Sequence, residues 1–164
     1  MDGLMIIRPL HEADLEGVLE VEAASFVEPW SRSLFTKEIA QPSRRYIAAT
    51  DAGSVCGYGG IMLVGEDAHV VTLAVAPAYR EQGVASRIMM ELIDLAGAHG
   101  ARHMTLEVRE SNRAALELYR KFGFEPAGTR KGYYTTEDAV VMWAIDIDSI
   151  DYQVTLASIR KEAS

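Results

Sequence analysis

From residue 5 to residue 147, stretches with apolar residues at every second position alternate with stretches where they recur every three or four. Met5 to Pro9 reads as a short first strand. His11 to Val27 carries Leu15, Val18, Leu19, Val21 and Phe26 at helical spacing, and Pro29-Trp30 breaks the run. Ser31 suits the cap of a second, short helix through Ile39, with Leu34, Phe35 and Ile39 on one face. Arg45 to Thr50 reads as a strand, Asp51-Ala52-Gly53 as a turn, and Ser54 to Val64 as the return strand of a hairpin. Gly57, Gly59 and Gly60 inside that strand imply close packing or a bend.

The next run, Ala68 to Ala76, holds Val70, Val71, Leu73 and Val75 and is the strongest strand signal; Pro77 ends it. After a loop at 78–82, a helix runs from about Gly83 to His99, with Ala85, Ile88, Met89, Leu92, Ile93 and Ala96 inward and Gly100 as terminator. His103 to Arg109 alternates cleanly, with Met104, Leu106 and Val108 facing one way and Thr105, Glu107 and Arg109 the other. Ser111 suits the cap of a helix from Asn112 to Phe122, closed by Gly123. Phe124 to Tyr134 and Ala139 to Ile147 complete a final pair of strands. Residues 149–164 read as a polar C-terminal tail, helical around Val154 to Ile159, beyond a single domain over 1–148. The order β-α-α-β-β-β-α-β-α-β-β predicts an α/β protein: a mixed, mostly antiparallel sheet, one central parallel strand pair, helices on both faces.

Composition narrows the class. A chain of 164 residues fits one domain and buries enough surface to need no disulfide or metal staple. Cys56 is the only cysteine, so an internal disulfide is excluded, which suits a reducing cytoplasmic setting. The first ten residues include Asp2 and Arg8 and no long apolar core, as neither a signal peptide nor an anchor would have, and no apolar run reaches membrane-spanning length. The net charge of −8 makes a general nucleic-acid binder unlikely on electrostatic grounds and favours basic partners, although it equally serves solubility alone.

The most informative segment is Leu73-Ala74-Val75-Ala76-Pro77-Ala78-Tyr79-Arg80-Glu81-Gln82-Gly83-Val84-Ala85-Ser86, a buried strand running through a loop directly into a helix. A helix N-terminus offers unpaired N–H groups and the positive end of the dipole. Gly83 admits an anion close to the backbone, and Ala85 keeps the following turn free of bulk. The pattern Arg-x-x-Gly-x-Ala has one glycine fewer than a dinucleotide fingerprint and lacks the Gly-Lys-Ser/Thr of a nucleoside-triphosphate loop. An ordinary strand-to-helix turn explains the six residues too. The segment resembles the acetyl-coenzyme A motif of the GNAT superfamily of N-acetyltransferases. That resemblance implies the GNAT fold and an acetyl-CoA-dependent enzyme. It implies that the N–H groups of Glu81, Gln82, Gly83, Val84, Ala85 and Ser86 hold the diphosphate. The edge of Leu73, Ala74 and Val75 would bond the pantetheine arm, and Arg80 would add positive charge.

A second segment, Leu106 to Phe124, places a strand, a capped helix and a Gly-Phe exit in tight order. Asn112 and Tyr119 stand seven residues apart, two helical turns, and so share a face. Acetyl transfer to an amine requires loss of a proton from the ammonium, polarisation of the carbonyl and stabilisation of the leaving thiolate. A strand carboxylate serves as base, directly or through water, and a phenol with a pKa near 10 serves as acid to sulfur. Glu107 and Tyr119 match the base and the acid of the ribosomal-protein N-terminal alanine acetyltransferases, and Asn112 matches a coenzyme contact of that family. Taken singly, Glu107 also reads as a solvated residue paired with Arg109 or Lys131, Tyr119 as a core aromatic and Asn112 as part of the helix start.

The resemblance to that family extends from Met5 to about Ile147. It includes Ser25-Phe26-Val27-Glu28-Pro29-Trp30-Ser31 and Gly128-Thr129-Arg130-Lys131-Gly132-Tyr133-Tyr134. It implies that Phe26, Trp30, Tyr133 and Tyr134 grip an acceptor peptide, with a ribosomal protein as partner and neither nucleic acid nor membrane involved. As packing residues, Trp30 and Phe35 would join the helix pair and the tyrosines would form an aromatic ladder. Val27-Glu28 lengthens a join that is shorter in the bacterial ribosomal enzymes, and the tail exceeds the common core, so the acceptor sequence stays open. A small-molecule acetyltransferase acting on a polyamine, amino acid or drug is the alternative; a coenzyme-binding module without catalysis would need neither Glu107 nor Tyr119. His11, His69, His99 and His103 show no mutual metal-ligand spacing, so no metal is expected.

Overall fold

A computed structural model describes residues 5–134 and 137–163. Its elements are β1 (Met5–Pro9), α1 (Leu15–Ser25), α2 (Arg32–Ile39), β2 (Arg44–Asp51), β3 (Ser54–Val64), β4 (Asp67–Val75), α3 (Val84–Ala98), β5 (His103–Arg109), α4 (Arg113–Lys121), β6 (Glu125–Arg130), β7 (Ala139–Ala144) and α5 (Ile150–Ala163). The strands form a seven-stranded sheet in the order β1-β2-β3-β4-β5-β7-β6. β4 and β5 are parallel, while β1–β2, β2–β3, β5–β7 and β6–β7 are antiparallel. The chain divides into two compact units, Met1–Met62 with Val71–Leu92, and Leu63–Val70 with Ile93–Ser164.

In the first unit, Leu15, Val18, Val21, Phe35, Tyr58 and Ala74 form a buried cluster, with Trp30 packed against it. The helical stretch expected over His11–Val27 is shorter. A 3-10 turn at Glu12–Asp14 precedes α1, and Phe26 is extended, ending the helix at Ser25. Asp14 is diverted from helix service: its carboxylate takes both Arg8 guanidinium nitrogens at 2.7 and 2.8 Å and the His11 N–H at 2.7 Å. Those donors, Arg8 foremost, hold the Asp14 carboxyl below its ordinary range. Ser31 caps α2 as its sequence position implies, its hydroxyl accepting the Leu34 N–H at 3.1 Å.

The three glycines of β3 are there for close approach. A Cβ on Gly57 or Gly59 would stand 2.9 Å from Ile88, and one on Gly60 would stand 2.3 Å from the Tyr46 ring. Tyr46 lies directly across the ladder from Gly60, and its hydroxyl donates to Glu38 at 2.6 Å, so the ring is pinned. We expect Gly60→Ala to lower stability by about 1–3 kcal/mol, because the ring must leave either its rotamer or its hydrogen bond. Denaturant unfolding of the purified variant measures this.

In the second unit, β5 alternates buried and half-buried residues, with Met104, Leu106 and Val108 inward and Thr105, Glu107 and Arg109 on the other face. The parallel ladder sets His69 of β4 opposite Thr105 of β5. The C-terminal residues expected as a polar tail form the 14-residue helix α5. Leu156 and Ile159 are buried, Tyr152 donates its hydroxyl to the Phe122 carbonyl at 2.6 Å, and Arg160 pairs with Asp94 at 2.6 Å. Among the described residues no helix is long and apolar enough to cross a membrane.

Candidate active site

The strand-to-helix loop belongs to the first unit. Pro77–Tyr79 is a 3-10 turn; Glu81 and Gly83 both take positive φ, +62° and +82°, and turn the chain sharply into α3. The first ladder bond at the start of α3 runs from the Arg87 N–H to the Gly83 carbonyl at 3.2 Å. The amides of Gly83, Val84, Ala85 and Ser86 precede that ladder and point from the positive end of the helix. A Cβ built on Gly83 meets nothing within 4 Å, so the space over this N-terminus is open and glycine is required by its φ alone. The loop is braced from below. Arg80 turns back, its Nε donating to the Val75 carbonyl at 3.0 Å and its Nη2 to the Ser25 hydroxyl at 3.1 Å. Gln82 donates to the Ala78 carbonyl at 3.0 Å, and Tyr79 donates to Asp51 at 2.8 Å. Arg80 is therefore held in a fixed place and braces the loop. Leu73, Ala74 and Val75 lie along β4 beyond Asp67–His69, the segment paired with β5.

Also in this unit, Trp30 stacks obliquely on Phe35 with centroids 5.1 Å apart, and its backbone N–H donates to the buried Glu22 carboxylate at 2.8 Å. The tryptophan thus does the packing work that its sequence position also allowed. Phe26 is partly exposed. Burial raises the Glu22 carboxyl above its ordinary range, with the Trp30 N–H pulling the other way.

The carboxylate of the second unit is Glu107, whose side chain is only 12% exposed. One oxygen, Oε2, meets Nε2 of His69, and the other, Oε1, accepts from Arg130 at 3.0 Å. The carboxylate is thus held by His69 and Arg130 among the described residues. Tyr134 donates its hydroxyl to the Glu107 carbonyl at 3.3 Å. The Arg109 guanidinium lies 4.2 Å from the Tyr134 ring centre, and that of Arg130 4.3 Å from the Tyr133 ring centre. The two tyrosines meet edge to face at 5.1 Å, and Tyr133 is 44% exposed. Burial, with help from Tyr133, pushes the Tyr134 phenol up to about 12. A carboxylate, two aromatic rings and two guanidinium groups are thus gathered around one strand.

Tyr119 on α4 is buried, with its ring 6.1 Å from Phe124. Burial is the main cause that pushes its phenol up to about 12. Asn112, rather than Ser111, is the cap of α4: its Oδ1 accepts the Ala115 N–H at 3.1 Å, and the amide NH₂ is not used in that bond. Ser111 is taken instead by Glu137, which accepts both its N–H and its hydroxyl at 3.0 Å.

Two residues of this cluster escaped the sequence reading, His69 and Arg130. His69 was set aside for want of metal-ligand spacing. The usable signal was geometric: in a parallel β4–β5 pair the non-core positions of both strands share a face, which puts a β4 histidine beside a β5 glutamate. Among the described residues no group of three or more His, Cys, Asp or Glu side chains is placed to hold a metal.

The helix N-terminus that follows the strand in the first unit suits, by itself, a phosphate-bearing ligand, and the sheltered carboxylate and buried phenol of the second unit suit, by themselves, acid–base chemistry. The sequence comparison agrees: residues 15–124 match the model of the Acetyltransferase (GNAT) family. The chain belongs to the GNAT acetyltransferases and is an acetyl-transferring enzyme. Over 142 residues it is 32% identical to the [ribosomal protein bS18]-alanine N-acetyltransferase of Escherichia coli, covering 83% of this chain and 94% of that one. It is 39% identical over 140 residues to a Bacillus subtilis protein named as a putative member of the same activity, covering 84% and 93%. The crystal structure of the E. coli enzyme superposes with a TM-score of 0.80 at 30% identity, covering 87% of this chain and 94% of that chain. That of Ard1 from Thermoplasma volcanium gives 0.81 at 27% identity, covering 87% and 97%.

Proposed function

We propose that this enzyme transfers acetyl from acetyl-CoA to the N-terminal α-amine of a protein, and that the acceptor is a ribosomal protein beginning with alanine, met in the cytosol. The observation that carries the reading is Glu107: a sheltered carboxylate with aromatic rings beside it, in a chain similar along most of its length to enzymes named for ribosomal protein bS18 alanine acetylation. Acetyl-CoA would supply the activated thioester. The open, positive-φ turn at Gly83 fits its diphosphate, which the amides of Glu81 to Ser86 would bond. Leu73 to Val75 would bond the pantetheine arm, and the remaining amide donors of Asn112 would add a polar contact to it.

In this reading Glu107 takes the proton of the acceptor ammonium. An α-amine has a pKa of about 8, against about 10.4 for a lysine side chain, so at neutral pH its reactive form is on the order of a hundredfold more abundant. Tyr119 would serve the leaving sulfur. A phenol at about 12 stays protonated at every working pH. It is too weak an acid to hand its proton fully to a thiolate with an ordinary pKa of about 8.5, so it acts as a hydrogen-bond donor that stabilises developing charge. Phe26, Trp30, Tyr133 and Tyr134 would contact the acceptor, the exposed Tyr133 most directly.

Initial rates of thiol release test the acceptor class. Peptides beginning Ala or Ser should turn over at least tenfold faster, in kcat/KM, than spermidine or free amino acids at equal concentration. The reverse order would assign the enzyme to small amines.

A further inference from the structure

With Glu107 read as the base, the proton it accepts must leave it before the next turnover, and an imidazole lies against it. Glu107 lies on β5 and His69 on the neighbouring parallel strand β4, and the imidazole Nε2 meets carboxylate oxygen Oε2. Both side chains are sheltered, at 12% and 24% exposure, but the histidine is the more open of the two. Among the described residues its other ring nitrogen, Nδ1, has no hydrogen-bond partner. The imidazole is therefore the more solvent-accessible member of a sheltered pair.

We propose that His69 is the second proton-handling residue of this active site: Glu107 and His69 act as one base, and the proton removed from the acceptor ammonium rests on the imidazole and leaves from it to water. This rests on the reading of Glu107 as base. The balance is simple. The ammonium N–H bond breaks, its electron pair stays on nitrogen for attack on the thioester, and one proton passes to the pair. The pair is then an imidazolium against a carboxylate; loss of the Nδ1 proton to water restores its starting charge, and exchange of the remaining ring proton through water restores its starting tautomer. A free imidazole is a stronger base than a free carboxylate, which suits it to store the proton. A lone carboxylate lies nearly four units below an α-ammonium; an imidazole closes about half of that gap.

The surroundings favour this division of labour. Arg130 occupies Oε1 and stabilises the carboxylate as an anion, leaving Oε2 to orient the ring. The other charged and titratable groups around the pair are Tyr133 and Tyr134 of the β6–β7 connection, with Arg109 and Glu137 behind them. Both phenols are raised above their ordinary pKa by burial, so neither competes as a base near neutral pH. Arg109 and Glu137 pair with each other at 3.5 Å.

The test is the pH dependence of kcat for His69→Gln and Glu107→Gln, with an alanine-initiated peptide and saturating acetyl-CoA. Glutamine keeps a donor toward Glu107 but cannot carry a proton. At pH 7 each variant should lose about 10²-fold in kcat, with KM for acetyl-CoA within twofold of wild type. Both losses should shrink as pH rises past about 8, where the free amine needs no base. The double variant should be no slower than Glu107→Gln alone. As a check against a folding artefact, His69→Ala should regain rate when imidazole is added. A His69→Gln enzyme at wild-type rate, or one with the same loss at every pH, would overturn the role of His69 while an impaired Glu107→Gln left the base reading standing. Wild-type rates in Glu107→Gln would remove the base reading itself and the paired base with it.

Discussion

Gly83→Asp should abolish detectable acetyl-CoA binding while the domain remains folded. The backbone there has φ of +82°, which an L-residue adopts at a cost of roughly 1–2 kcal/mol, and aspartate is among the residues that tolerate it best. No atom lies within 4 Å of the new Cβ, so packing is not disturbed. A carboxylate at the start of α3 would even favour the helix, since it meets the positive end of the dipole and the first amides. The same charge stands where the diphosphate is proposed to bind, repels it and takes its donors. Calorimetric titration with acetyl-CoA, beside a thermal melt, separates the two effects. Gly83→Ala, carrying the backbone strain without the charge, should bind more weakly than wild type but measurably. Unchanged affinity in a folded aspartate variant would remove the loop from the coenzyme site.

Tyr119→Phe should lower kcat by about 10²–10⁴-fold with little change in coenzyme affinity. The ring is buried and packs obliquely near Phe124, and phenylalanine preserves that packing. Only the hydroxyl is lost, and with it the donor proposed for the leaving sulfur. Because the phenol is pushed up to about 12, it does not ionise between pH 6 and 9, so the ratio of mutant to wild-type rates should be flat across that range. This separates Tyr119 from the paired base, whose variants should recover at high pH. Wild-type turnover in the phenylalanine enzyme would make Tyr119 a core residue and leave sulfur to water or another donor.

What could be read from the sequence was whatever short-range periodicity encodes. Ser54–Val64 falls where the turn at residues 51–53 placed a return strand, His103–Arg109 where alternation placed it, and Ser31 caps α2. The turn at Gly83 was legible because strand, glycine and helix follow without a gap. Where the reading failed, a distant partner decided the outcome. Ser111 and Asn112 both suit a cap, and Glu137, 26 residues away from Ser111, takes the serine and leaves the cap to asparagine. The pairing of His69 with Glu107 spans 38 residues and depends on strand register, which no local pattern states. The raised pKa of Tyr119 arises mainly from burial, which local sequence does not state, so a free phenol's value was the wrong guide to its acidity. In α5, Leu156 and Ile159 are spaced for a buried face, but the bonds of Tyr152 to Phe122 and of Arg160 to Asp94 that tie the helix down reach partners 30 and 66 residues away.

The central claim is that acetyl goes to a protein's α-amine, and the direct measurement is where the acetyl sits. Matched short peptides that begin with Ala or Ser and carry an internal lysine, with the N-terminus free in one set and blocked in the other, can be incubated with enzyme and acetyl-CoA. Intact mass and fragment mapping then locate the product. The account predicts a single acetyl on the α-amine of the free peptides and none on the blocked ones. Acetyl found mainly on lysine side chains would contradict it.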